Sequence, residues 1–286
     1  MLYRPDTSGP HPGVVVLGGS DGGAPETAAS ALARHGFAAL ALAYFGVPAL
    51  PRHLREIPVE YCADAAAWLA RQDAIAGSRV AVLGRSRGAE LGLLTAVAAP
   101  ETVAGVVGYA PSSVAWQAPP REPTRPDPPT SSWWHDGSPV PFVPTYPPGP
   151  ADVVAGRVRF RPAFERALAE APADAAIPVE RLGGPVLLIS GGEDGTWPAR
   201  EMADRVLGRL AAHAFPHDRT HLHFPEAGHM VGVPGSHRPG AAGPVMARLD
   251  TGGCPEADTR ASRDAWGPVV DFLSDLVDTR LTNSRR

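Results

Sequence analysis

Short apolar runs, each closed by glycine or a turn and followed by a longer helix-like stretch, recur along most of this chain, and no other feature narrows its fold so far. Buried parallel strands read as near-continuous Val/Leu/Ala runs, and the crossover between two of them needs a helix. The alternation therefore predicts a mostly parallel sheet with helices on both faces. The first strand is Val14–Leu17, ending in Gly18-Gly19-Ser20-Asp21-Gly22-Gly23. A helix over 26–35 stops at Gly36, and Phe37–Ala43 is the second strand. Helix 60–71 follows, with Tyr61, Ala65, Trp68 and Leu69 expected on its apolar face. Then come strand 79–83, helix 89–98, strand 103–109, strand 185–190, helix 199–212 and strand 220–224. An amphipathic stretch over 261–281, with Trp266, Val269, Val270, Phe272, Leu273 and Leu276 on one side, is expected to pack on the sheet as a closing helix.

One stretch breaks the pattern. Thirteen prolines fall within residues 111–150, too many for regular helix or central strand across most of it. The same stretch holds Trp116, Trp133, Trp134, Phe142 and Tyr146, and aromatics are depleted from disordered linkers. The expectation is an ordered lid that shapes a pocket, inserted at about residues 111–178; the plainer reading is a linker or surface loop. With 286 residues, 44% of them hydrophobic, and no internal repeat, a single α/β domain over 1–286 carrying this insertion is expected.

Composition narrows the chemistry. All twenty-six basic residues are Arg. The lack of lysine excludes a lysine Schiff base, a pyridoxal phosphate anchor, a Walker lysine and a Ser-Lys dyad. A formal charge of −4 offers no attraction for nucleic acid or anionic membrane, so neither is expected as a partner. Cys62 and Cys254, far apart and outside any CxxC, suggest neither a disulfide framework nor a structural zinc site. Met1-Leu2-Tyr3-Arg4-Pro5 opens no signal-peptide h-region, and no apolar run approaches the ~18 residues of a membrane span. A cytoplasmic protein that needs no cofactor or metal is the resulting expectation.

Gly84-Arg85-Ser86-Arg87-Gly88 fits G-x-S-x-G between an apolar strand and a helix, the context a nucleophile elbow requires. Ser86 is the candidate nucleophile; the plainer reading is an ordinary strand-to-helix turn. A serine hydroxyl needs a base, and among ten histidines His229 follows directly on the end of strand 220–224. His221 and His223 alternate along that strand with His217 upstream, which leaves a metal site as a rival use. His11, His35, His53, His135, His213 and His237 read as surface or loop residues. The acid should end the preceding strand, where Glu193-Asp194 stands; Asp194 is preferred, with Glu193 and then Asp218 behind it. Backbone amides of Ser20 and Arg87 would form the oxyanion hole. The Gly-rich turn also suits a dinucleotide phosphate, but its spacing is not G-x-G-x-x-G and no acid ends the second strand. Gly19, Asp21, Arg85, Trp133, Trp134 and Trp197 are the expected substrate-binding residues. Arg85 and Arg87 would attract a carboxylate or phosphate there, or simply serve solubility.

Four stretches in order carry a family resemblance. They are Leu40-Ala41-Leu42-Ala43-Tyr44-Phe45 followed by Leu54 to Tyr61; Gly84 to Glu90; Ile177 to Pro185 running on to Asp194 and Trp197-Pro198; and Gly252-Gly253 with Ala261 to Phe272. Together they resemble the C-terminal catalytic domain of the acyl-CoA thioesterase and bile acid-CoA:amino acid N-acyltransferase family, in the α/β-hydrolase superfamily and dienelactone hydrolase-like. The resemblance runs from about Pro12 to Leu276, interrupted by the Pro-rich insert. It implies an α/β-hydrolase fold, a Ser/Cys-His-Asp triad falling on Ser86, His229 and Asp194, and acyl-thioester substrates attacked to give an acyl-enzyme. Hydrolysing members carry Ser at the nucleophile and the conjugating branch carries Cys, so Ser86 points to hydrolysis. The β-sandwich that precedes this domain in the family's animal members is not expected here, and the insert is expected to rebuild the acyl pocket.

The expected function is thus a serine hydrolase acting on a small acyl thioester, either acyl-CoA or carrier-bound, or on an ester. Acyl transfer, cyclisation or lactone opening through the same acyl-enzyme remains open, as does a binding module without turnover.

Overall fold

The computed structural model describes residues 1–122, 127–236 and 248–283, with side chains through Leu276. In chain order, β1 (Leu2–Tyr3), β2 (Gly13–Leu17), α1 (Glu26–Ala33), β3 (Ala38–Leu42), β4 (Ile57–Pro58), α2 (Val59–Ala70), β5 (Val80–Arg85), α3 (Arg87–Ala98) and β6 (Val103–Tyr109) form the first half. Next come β7 (Trp133–His135), β8 (Ser138–Pro139), β9 (Val153–Val154), β10 (Arg157–Val158) and α4 (Arg161–Ala169). The chain closes with β11 (Val186–Gly191), α5 (Ala199–Ala212), β12 (Arg219–Phe224) and α6 (Pro255–Asn283).

Seven strands form one sheet in the order β1-β3-β2-β5-β6-β11-β12. Every pair is parallel except the edge strand β1, which runs antiparallel to β3. Strand periodicity divides the core in two. Val15, Leu17, Val82, Val106 and Leu188 face α2, α3 and α5, while Val14, Val16, Leu83, Val107 and Ile189 face α1 and α6. Burying each such side chain stabilises the fold by about 1.5–3 kcal/mol. This is the α/β-hydrolase architecture, with helices on both faces of a mostly parallel sheet.

Two expectations need correction. The buried face of α2 is Val59, Cys62, Ala66 and Leu69, whereas Tyr61 and Trp68 are exposed. Small Cys and Ala side chains let that face lie close to the sheet, and the bulkier aromatics are left on the flank. Helix α6 begins at Pro255, ahead of the expected start, because its first turn is polar and carries no apolar period.

The Pro-rich segment builds irregular structure with short strands. β7 pairs parallel with β4 and antiparallel with β8, and β9 forms a hairpin with β10. Arg161-Pro162 opens α4, with proline in the first turn where its missing N–H costs nothing. Val114, Trp116, Val143, Ala167 and Leu168 bury together with Trp197 and Met202 in a third core cluster that joins this segment to α5. Of the surface histidines expected, His237 lies outside the described residues.

Candidate active site

Strand β5 ends at Arg85 and α3 begins at Arg87, leaving Ser86 alone in the turn with φ 54° and ψ −121°. A β-carbon at positive φ is strained, so packing must hold it there. The flanking glycines permit that packing. A Cβ on Gly84 would lie 2.2 Å from the Gly88 carbonyl oxygen, and one on Gly88 would lie 2.2 Å from that of Gly18. Ser86 occupies the N-cap of α3 but makes no capping hydrogen bond, which elsewhere is a serine's usual role there. Its hydroxyl is instead 3.0 Å from His229 Nε2.

His229 follows β12, and its backbone N–H donates to Thr251 O at 2.8 Å. Its Nδ1 lies 2.8 Å from Asp194 Oδ2. Asp194, past the end of β11, also accepts from the backbone N–H groups of Thr196 (2.8 Å) and Trp197 (3.1 Å) through Oδ1. A carboxylate only accepts, so His229 donates through Nδ1–H and Nε2 is left to accept from the Ser86 hydroxyl. Ser86, His229 and Asp194 are all buried, at 5%, 3% and 1% exposure. The arrangement is competent for general-base activation of a serine.

With the fold and this geometry established, comparison with known proteins gives one consistent result. The family model described as "BAAT / Acyl-CoA thioester hydrolase C terminal" matches residues 57–278. The chain belongs to that family. Acyl-coenzyme A thioesterase 6 of Mus musculus is 31% identical over 280 residues, covering 97% of this chain and 62% of that protein. Acyl-coenzyme A amino acid N-acyltransferase 1 of Mus musculus is 32% identical over 275 residues, covering 95% of this chain and 61% of that protein. The chain therefore spans less than two thirds of the length of these relatives. Two solved structures share the α/β-hydrolase fold. A protein assigned as a dienelactone hydrolase from Klebsiella pneumoniae superposes with a TM-score of 0.55 at 16% identity, covering 95% of this chain and 90% of that one. An esterase from Pyrobaculum calidifontis gives 0.53 at 18%, covering 98% and 78%.

In this family member the other expected site residues fall in several places. Gly19 is buried against the elbow and Ser20 is exposed at the loop after β2, whose path is fixed by the Tyr44 hydroxyl donating to Gly18 O at 2.7 Å. The amide of Arg87 belongs to the first turn of α3, where N–H groups have no intrahelical acceptor. Trp197 packs edge-on to the His229 ring at 5.8 Å, and Phe164 and Trp116 continue that aromatic chain into the insert. Trp133 is fully buried in the main core, with its indole N–H bonded to Glu90, while its neighbour Trp134 is half-buried. Arg85 and Arg87 are both buried, which removes the solubility reading for either. Asp21 lies at the rim beside Arg85.

Three supporting residues escaped the sequence reading. Glu90, fully buried in the first turn of α3, accepts from Trp116 N, Trp133 Nε1 and the Arg87 guanidinium (3.0 Å), and burial pushes its carboxyl pKa upward. The signal was an acid at the start of an otherwise apolar helix. Asp258 accepts from Gly228 N at 2.6 Å next to the histidine, its carboxyl likewise pushed up by burial. Thr251 O holds the His229 and Gly195 amides, and no residue pattern announces a carbonyl in that role.

The structure also holds a decoy. Ser190 Oγ lies 2.7 Å from His221 Nε2, and His221 Nδ1 lies 3.0 Å from Asp204 Oδ1. His223 bonds the same serine, and His217 packs edge-on against Phe215 instead of joining them. Ser190 is fully buried within a regular strand, with no elbow to lift it to a substrate. Among the described residues, the one group with metal-ligand geometry is Glu60, His135 and Asp136 on the surface, remote in sequence from the elbow. No described helix is long and apolar enough to cross a membrane.

Proposed function

We propose that this protein is a serine hydrolase that cleaves a small acyl thioester, acyl-CoA or carrier-bound, through Ser86, His229 and Asp194. The observation that carries the reading is the strained Ser86, uncapped and hydrogen-bonded to a histidine that a buried carboxylate orients. Family membership supplies the thioester.

In this scheme His229 Nε2 takes the hydroxyl proton as Ser86 Oγ bonds to the thioester carbonyl carbon. Negative charge develops on the carbonyl oxygen, where the Arg87 and Ser20 amides donate and the N-terminus of α3 adds positive potential. The C–S bond then breaks, and His229 returns the proton to the departing sulfur. Water enters, gives a proton to Nε2 and attacks the acyl carbon; Oγ departs and recovers the proton, releasing the carboxylic acid. Asp194 stays ionised and stabilises the transient imidazolium. With no lysine in the chain, the phosphates of CoA or a carrier arm fall to arginines and backbone amides.

Acyl transfer to an amine is the second reading, favoured by the similarity to an N-acyltransferase. It differs only in what attacks the acyl-enzyme. Ser86→Ala should abolish thioester turnover and fluorophosphonate labelling while leaving the melting temperature near that of the wild type. Retained turnover would refute the scheme, and product analysis with and without amine acceptors separates hydrolysis from transfer.

A further inference from the structure

Arg87 and Glu90 lie one turn apart on α3, and an Arg/Glu pair at that spacing is usually an exposed contact of little consequence. Here both side chains are buried, at 5% and 0% exposure. Taking two charges out of water is costly unless the pair is also well hydrogen-bonded. This pair meets that condition: Glu90 Oε1 accepts from Trp116 N (2.8 Å) and from Trp133 Nε1, and Oε2 accepts from Arg87 Nη1 at 3.0 Å. Arg87 Nη2 donates to Gln117 O at 2.9 Å, and its guanidinium lies 5.9 Å from the centre of the Trp197 ring. That ring is the one packed edge-on to His229. The elbow helix and two parts of the insert, at 116–117 and at 133, thus converge on the residue that follows the nucleophile.

We infer that Glu90 is a positioning residue for the reaction: by holding the Arg87 guanidinium it fixes the peptide whose N–H receives the developing oxyanion, and it fastens that peptide to the insert. The inference rests on the hydrolase reading above for the part played by the Arg87 amide. Buried ion pairs contribute little net stability, so the use of this one lies in the geometry it specifies. An oxyanion donor must come within about 2.7–3.1 Å of the oxygen it serves, so a small rotation of one peptide costs rate. The peptide concerned joins Ser86, strained at φ 54°, to Arg87. Glu90 grips it at two points. Its backbone N–H donates to Ser86 O at 3.1 Å, and because C=O and N–H of a planar trans peptide point opposite ways, that bond aims the Arg87 N–H. Its carboxylate holds the Arg87 side chain on the other end.

The test compares Glu90→Gln, Arg87→Met and the double variant in butyryl-CoA turnover and in affinity for butylboronic acid. Ser86 Oγ adds to the boron and its proton passes to His229, which leaves a tetrahedral anion that needs the oxyanion donors and no thioester. Glutamine has one acceptor oxygen, which the Trp116 and Trp133 donors require, so its NH₂ turns toward the guanidinium and displaces it. Glu90→Gln should lower kcat at least about tenfold with KM within about threefold, short of the about 10²–10³ that deleting a donor outright costs. Boronate affinity should fall by the same factor. Arg87→Met should show the same losses, and Glu90→Gln added to it should cost less than about twofold more, because the pair then has nothing left to position. Retained kcat in Glu90→Gln overturns the inference. So does a kcat loss with boronate affinity unchanged, or a loss repeated in full on the Arg87→Met background, since either makes the role merely structural. Should Glu90→Gln alone fail to fold, the double variant, neutral at both positions, decides by the same comparison with Arg87→Met. Boronate affinity lost in this pattern by a protein that turns over no thioester would refute the hydrolase reading and uphold the positioning role.

Discussion

Replacing Asp194 by Asn removes one charge and changes no heavy-atom position, yet the surrounding hydrogen bonds make it a severe perturbation. Oδ1 accepts two backbone N–H groups and Oδ2 accepts one from His229. Asparagine has a single acceptor oxygen. Turning its NH₂ toward Thr196 and Trp197 would set donors against two buried donors, each unmade bond costing about 1–3 kcal/mol. The oxygen therefore stays on the backbone side and the NH₂ faces His229 Nδ1. Nδ1 must then accept, its proton moves to Nε2, and the nitrogen facing Ser86 becomes a donor that cannot take the hydroxyl proton. The expected loss in kcat is about 10⁴-fold, or about 5.4 kcal/mol of barrier, with the melting temperature little changed. Steady-state thioester hydrolysis and the rate of Ser86 labelling by a fluorophosphonate both read it. A loss below about 30-fold in a folded variant would refute the assignment of Asp194 as the group that sets the His229 tautomer.

Three further outcomes follow from other contacts. Ser190→Ala should keep thioester turnover within about threefold, because Ser190 is fully buried inside β11 despite its His221-Asp204 partners; a loss matching that of Ser86→Ala would reverse the choice of nucleophile. Gly88→Ala should cut Ser86 labelling more than about 100-fold, since its Cβ would meet the Gly18 and Leu17 carbonyl oxygens at 2.2 and 2.7 Å and only backbone movement relieves that overlap. Glu180 is held down to about 2 from its ordinary 4.5 by its hydrogen-bonded pairing with Arg209, so it adds stability above pH 4.5 that disappears as pH falls toward 2. Urea melts of Glu180→Gln should accordingly show a deficit of about 1–2 kcal/mol at pH 7, reduced from the full shift because water reaches the pair, and none near pH 2. A deficit that persists at pH 2 would mean that the pairing is not its source.

The parts of this fold that sequence reveals are those where a single local signal decides. Val14–Leu17, 103–109 and 185–190 are buried on both faces, so hydrophobicity alone marks them, and the strands form within a residue or so of the expected bounds. Ser86, His229 and Asp194 stand out as candidates in the sequence because each follows a strand end and strand ends are legible, and the structure brings their side chains within hydrogen-bond distance of one another. Their meeting depends on strand order, which no local pattern encodes. β1 was missed because two residues carry no period, and β7 to β10 because their pairing is set by the turns of a Pro-rich chain. Glu90 was missed for another reason. Its role lies in donors supplied from residues 116 and 133, and nothing near Glu90 in sequence points to them.

The break in the strand-helix alternation and the geometry of the site have a common origin at the end of β6. In the sheet, β6 separates β5, which is followed by Ser86, from β11 and β12, which are followed by Asp194 and His229. His229 reaches the serine only if the chain leaving β6 clears the space above that strand. Tyr109 O accepts the Ser86 amide at 2.8 Å, and the next residue, Ala110, takes φ 43° and is followed by Pro111. The chain is thereby turned aside, and the long insert begins at the end of β6, a central strand that contributes no member of the Ser-His-Asp group. It returns over the site through Trp116, Phe164 and Trp197 to the His229 ring. None of its described residues lines the cavity that holds Arg85 and Tyr109, whose walls come from β2, the loop after it, α1, the ends of β5 and β6, and the loop after β12. The insert therefore reaches the histidine through Trp197, while β2, the loop after it, α1 and the ends of β5 and β6 shape the pocket beside the serine.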